Sequence, residues 1–329
     1  MGYVITVFYV MLVIILIRYT HNMKLVKYLP ETVLDSFLED PCLRLTPSMC
    51  FEDTSEFGAQ SDEVKNNPTL KKAINMHGVV SLTKSEKSSS MWTNYANNHK
   101  GFSFVLEVDD SDVIGSIFHV NPVVDTSLYI AKNIQYYTDL KPFSDYCEAN
   151  AIFDYYQFQK HISFLAEDEF RLVLPFYYVD IIKIHHLLFE SDSFFEGLDL
   201  EFIYDGFMFY SCDFKKPYNL MVDLNAFQRH KLWTYSFDKG DQVIFLKRID
   251  FHMGSMGHSA SIRKLILGYD FDLKKFTSDI KTFRNYNFFN RRFISSPPSS
   301  APHKKLINIF KINNNDSHIS YECVDHIFI

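Results

Sequence analysis

An α+β fold, a single mixed domain whose central, largely antiparallel sheet is flanked by helices, is what this sequence predicts. Apolar spacing switches between the helical period and two-residue alternation, without the strict strand-helix order of a doubly wound parallel sheet. Aromatic residues make up 16% of the 329 residues, 32 of them Phe, which supplies material for a large core. No repeat of about 20 to 50 residues divides the chain.

The apolar leader, residues 1–22, is set apart from the domain, residues 23–329. Gly2 to Ile17 carries no charge, and as a helix it reaches roughly 24 Å, short of a hydrocarbon layer of about 30 Å. No basic residue precedes it, which disfavours a cleaved signal peptide. Arg18, Lys24 and Lys27 follow it and would hold the bulk of the chain inside the cell. The segment is read as a membrane anchor, as the by-product of a start at Met23, or as a buried element of the domain.

Val33, Leu34, Phe37 and Leu38 recur at helical spacing and Pro41 stops them. Cys42 to Thr46 reads as a short strand and Glu52 to Asn67 as a surface loop. Val79 to Thr83 is a β-branched run, and the serines before Met91 can cap a helix ending at Gly101. From Phe102 to Val108 the alternation predicts a strand with one face towards the core. Asp145 to Phe164 reads as a helix, Phe170 to Leu174 as a strand ended by Pro175, and Ile262 to Leu267 as a strand stopped by Gly268. Leu273 to Phe283 is read as a helix, Ser295 to Pro302 as a linker, and Ile307 to Ile312 with Ile319 to Val324 as a closing hairpin.

With 33 Lys and Arg against 40 Asp and Glu the net charge is −7, so general nucleic-acid binding is not expected. Cys42, Cys50, Cys147, Cys212 and Cys323 are scattered and odd in number, which fits thiols in a reducing, cytoplasmic setting better than a disulfide framework or a cysteine zinc site. The histidines His185, His186, His252 and His258 make no recognised metal spacing, and His252 to Ser259 lacks the context of a phosphate-binding glycine loop.

On a strand, Glu169 and Arg171 share a face, and by the same period Glu167 joins them. They form either an ion pair supporting the sheet or a carboxylate held by an arginine in a cleft. Trp92 and Tyr95 lie three apart on one helical face and read as core, His99 interacts with the helix end, and Ser81 is a half-buried hydroxyl.

Four segments resemble the bacterial family catalogued as domain of unknown function 2971 (DUF2971). They are Lys27 to Glu56, Ser81 to Asp109 with its Met-Trp-x-x-Tyr-Ala-x-x-His-x-Gly-Phe core at Met91 to Phe102, Lys160 to Val173 with Lys-His and Glu-x-Glu-x-Arg, and Ile262 to Phe271. In CFEDTSEFG the family's usual Phe-Asn-Asp-Pro-Phe-Glu is only partly recognisable. The resemblance implies a sensor or interaction module, in an antiphage setting, that takes a protein or small-molecule ligand. Lys27, Trp92, Tyr95, His99 and Glu167 are then the candidate ligand-binding residues. An alternative is an ADP-ribosyltransferase-like enzyme using NAD, because Tyr28, Ser81 and Glu169 fall in that superfamily's order, with Arg171 beside the glutamate. A nuclease or other hydrolase is the third reading.

Overall fold

The computed structural model describes residues 22–39, 41–51, 56–58, 62–118, 130–139, 149–185, 202–204, 207–211, 226–249, 261–272, 306–315 and 318–328. Residues 1–21 of the leader, the helix read at Leu273 to Phe283, the linker and the loop at His252 to Ser259 lie outside them. Among the described residues no helix is long and apolar enough to cross a membrane. The architecture is α+β and its sheets are mostly antiparallel. In chain order the strands are β1 (Asn22–Leu29), β2 (Cys42–Arg44), β3 (Thr46–Pro47), β4 (His77–Thr83), β5 (Phe102–Asp109), β6 (Ile130–Asn133), β7 (Gln135–Tyr137), β8 (Gln159–His161), β9 (Glu169–Pro175), β10 (Ile181–His185), β11 (Phe202–Tyr204), β12 (Phe207–Ser211), β13 (Val243–Arg248), β14 (Ser261–Leu267), β15 (Leu306–Asn315) and β16 (His318–Phe328). The chain divides into two compact units, residues 1–39, 84–119 and 250–329, and residues 40–83 and 120–249.

In the first unit β1 pairs antiparallel with β5, placing Leu25 opposite Leu106, and β5 pairs antiparallel with β14. β14 is parallel to β15, and β15 and β16 form the hairpin that the sequence predicts. From Phe102 to Leu106 β5 is buried on both faces, where alternation suggested one, because Ser103 and Val105 are covered as fully as the phenylalanines. Phe37, on the helix Leu34–Glu39, stacks on Phe104 with ring centroids 4.4 Å apart.

The helix before β5 spans Ser89–Tyr95, with the Ser88 hydroxyl accepting from Met91 N at 3.3 Å as its cap. It stops well short of Gly101, the end expected from the sequence. Asn97, Asn98 and His99 carry φ of 46°, 51° and 67°, a left-handed run that asparagine tolerates better than most residues, and Gly101 N donates to Ala96 O at 2.8 Å. The run is clamped by backbone bonds from Asp270 N to His99 O, 3.2 Å, and from Gly268 N to Gly101 O, 2.9 Å. A Cβ at Gly268 would be driven into the His99 carbonyl oxygen. Gly268→Ala is therefore expected to lower stability by about 1 to 3 kcal/mol, the usual cost of overpacking, read from urea unfolding.

In the second unit β9 lies between β4 and β6, both antiparallel to it, and β3 pairs with β4. A second ladder runs β11-β12-β10-β13-β2. The helix Ala226–Lys239 places Trp233 against Phe245, with centroids 4.6 Å apart, and its indole donates to Asn75 O at 2.6 Å. Phe57, Val64, Leu70, Ile74, Val79, Tyr156, Phe158 and Val173 share one core. Two expectations are corrected here. The loop read from Glu52 to Asn67 contains a helix at Asp62–Asn66, and Glu56 and Phe57 are buried. The helix read from Asp145 to Phe164 is described from Ala149 and ends at Gln157, after which β8 pairs in parallel with β7 and Ile162–Glu167 winds as a 3-10 turn. Sheet pairing overrides the aromatic spacing at that point.

Candidate functional site

The polar side chains of β9 and its neighbours converge beneath the surface of the second unit. Arg171 is fully buried; Glu169, Glu167, Glu56 and Lys160 are 4 to 6% exposed. The Arg171 Nε donates to Glu169 Oε1 at 2.7 Å, Nη1 to the Gln157 carbonyl at 2.9 Å, and Nη2 both to Glu169 Oε2 at 3.2 Å and to Glu56 Oε2. Lys160 Nζ lies 2.7 Å from Glu167 Oε2, 3.2 Å from Glu169 Oε2 and 3.1 Å from Glu56 Oε1. An ammonium has three hydrogens, so each carboxylate can receive one. The Phe57 ring covers the guanidinium at 4.8 Å, and Phe164 covers the ammonium at 4.5 Å.

Local structure explains the convergence. Register places Ser81 of β4 and Lys132 of β6 beside Arg171. Tyr136 of β7 stands opposite Lys160 of β8, and its hydroxyl accepts from Glu169 N at 2.9 Å. Glu167 is not on the strand face that periodicity assigned to it. It ends the 3-10 turn, and Asp168 reverses the chain in the left-handed region, at φ 44°, so that Glu167 and Glu169 reach the same ammonium from two directions.

Burial opposes ionisation of Glu169, but Arg171 and then Lys160 outweigh it, with the nearby Ser81 hydroxyl acting in the same direction, and hold its carboxyl at about 2. Burial also opposes the charge on Lys160, and Glu169, Glu56 and Glu167 overcome it, raising that ammonium above its ordinary range. A depressed carboxylate contributes stability that is complete above its ordinary value of 4.5 and is lost as pH falls from there towards about 2. The melting temperature of the wild type is expected to fall steeply across that window, and that of Glu169→Gln to fall less.

The other predicted residues lie in the first unit. Tyr28 is buried on β1, its hydroxyl donating to Ser85 O at 3.0 Å and its ring meeting Trp92 edge-on with centroids 4.9 Å apart. Trp92, fully buried, lies on the inner face of the helix and Ala96, just past its end, packs with it, whereas Tyr95 is 42% exposed. Three residues turn a helix by about 300°, which leaves Tyr95 about 60° from Trp92 at the rim of the buried stripe, and its exposure corrects its reading as core. His99 lies between Trp92 and Tyr269, with ring centroids at 6.0 and 4.3 Å. Burial lowers its pKa, with Asp270 pulling the other way. Lys27 is half-buried on β1, opposite Phe104 of β5. The structure thus brings together Ser81, Glu167, Glu169 and Arg171 in one cluster, and Tyr28, Trp92 and His99 in another.

Glu56 and Lys160 escaped the sequence reading of the site. Lys160 stood in the Lys-His pattern of the family resemblance, which was its only signal. Glu56 reaches Arg171 from 115 residues away, through a loop whose polar residues match the family only in part. Among the described residues no group of His, Cys, Asp and Glu is placed to hold a metal ion.

Residues 91–172 match a family model whose description is "Protein of unknown function (DUF2971)". The match runs from the start of the Met-Trp motif to one residue past Arg171, and over that stretch it bears out the resemblance drawn from the sequence. No curated protein and no solved structure matches the chain.

Proposed function

We propose that this chain, with its DUF2971 segment at residues 91–172, works as a non-catalytic binding and sensing module. One observation carries the reading. Both Glu169 oxygens are engaged by cationic donors inside the unit, and Arg171 spends its donors on Glu169, Glu56 and the Gln157 carbonyl. A carboxylate so held is a poor base or nucleophile, because its pKa is low and its lone pairs are occupied. The antiphage setting implied by the resemblance would make such a module a detector that passes a signal on.

An ADP-ribosyltransferase-like activity is the second reading, and the placement of Ser81 opposite Arg171, in the same cluster as Glu169, favours it, since Ser81 and Glu169 are two of the residues expected in such a site. There Glu169 would have to leave Arg171 or Lys160 to bind a ribose hydroxyl and stabilise the developing oxocarbenium ion. Incubation of the full chain with labelled NAD and cell lysate separates the two. The module reading predicts neither free nicotinamide nor labelled protein, and label transfer abolished by Glu169→Gln without loss of fold would replace it with the enzyme.

A further inference from the structure

We propose that Glu56 is an internal stand-in for an anionic ligand, and that a carboxylate or phosphate group of a small molecule displaces it to bind across Arg171 and Lys160. The inference rests on the reading of the chain as a binding module and says what the module binds. The two oxygens of Glu56 sit on two different cations, Oε2 on Arg171 and Oε1 on Lys160 at 3.1 Å. That bridging arrangement is one a free oxyanion also adopts.

Charge singles out Glu56 among the three carboxylates. Glu167 and Glu169 already balance Lys160 and Arg171, so Glu56 brings the surplus negative charge, and its departure leaves a neutral cluster. Chain connectivity points the same way. Glu169 is fixed two residues from Arg171 on β9, whereas Glu56 arrives from a distant segment. Phe57 is part of the core and lies on the guanidinium, so only the Glu56 side chain has to swing aside.

Gln157 supplies an independent observation. Its carbonyl accepts from Arg171, and its side-chain amide is completely buried with neither nitrogen nor oxygen hydrogen-bonded. Buried amides in native proteins are nearly always partnered. A phosphate or dicarboxylate held on Arg171 carries acceptor oxygens beyond the two that Glu56 presents, and one of them is what this amide would take up.

Calorimetric titration of the full chain tests the proposal, with inorganic phosphate in one arm, succinate in another and sodium chloride at matched ionic strength as the blank. Glu56→Gln is expected to bind phosphate or succinate at least about tenfold more tightly than the wild type, since the internal competitor is gone, and adding Lys160→Met is expected to abolish that gain. The arm that responds identifies the ligand group as phosphate or carboxylate. Equal affinity of wild type and Glu56→Gln, or heat no greater than the chloride blank in both arms, overturns the proposal. Should Glu56→Gln fail to fold, melts of the wild type decide: a saturable rise in melting temperature over the chloride blank supports displacement, and a flat response rejects it. Absent oxyanion binding together with absent NAD turnover defeats the stand-in alone and leaves the module reading in place. Turnover of NAD defeats the module reading whatever the oxyanion result.

Discussion

Replacing Arg171 by Met is expected to destabilise the protein by about 3 to 5 kcal/mol, the cost of removing one partner from a buried charge network. Arg171 is fully buried and is joined to Glu169, to Glu56 and to the backbone at Gln157. Without it three buried carboxylates face a single ammonium, and water cannot reach them to compensate. Domains have only about 5 to 15 kcal/mol of stability in total, so the loss would show as a fall in melting temperature on the order of 10 °C, or as failure to fold at 37 °C. Arg171→Lys should recover little of it. A lysine keeps the charge, but its shorter reach and compact ammonium cannot reproduce the planar fork that serves acceptors on three sides. Thermal melts of the two variants beside the wild type check this, and a shift of Arg171→Met within about 2 °C would mean that the network contributes little.

The value of the network to the fold also explains what the sequence could reveal. β9 was legible because Phe170, Leu172 and Leu174 alternate and Pro175 stops them, and the closing hairpin because apolar runs flank an Asn-rich turn. The depth of Glu169 and Arg171 was not legible. A charged residue at every second position reads as a solvated face, and only partners brought from elsewhere in the chain, Lys160 and Glu56, make burial tolerable. The same holds for the helix that stops at Tyr95. Gly101 looked like its end by the usual glycine rule, but three left-handed residues starting at Asn97 turn the chain first and leave Gly101 to fit closely against the Leu29 carbonyl. Ser81 and Glu169 were paired by resemblance and do fall in one cluster, because register places β4 beside β9 with Ser81 opposite Arg171. Glu167 was assigned to the right place for the wrong reason, since a turn and not the strand delivers it.

Glu169→Gln is the measurement that tests most directly the claim that this cluster holds the fold and does no chemistry. The substitution keeps the shape and removes a charge, which in an overall negative cluster leaves equal numbers of the two signs. Charge balance alone would make it mild. Geometry makes it severe, because the Gln amide puts N–H groups where Glu169 Oε2 receives both Arg171 and Lys160, or else where Oε1 receives Arg171 Nε. Donors then face donors with no water between them, at an expected cost of roughly 3 kcal/mol. Melts of wild type and Glu169→Gln, run beside incubation of each with labelled NAD, should show a fall in melting temperature of several degrees and no label transfer by either protein. An unchanged melting temperature, with label transfer by the wild type and none by the variant, would contradict the account and make Glu169 a catalytic residue.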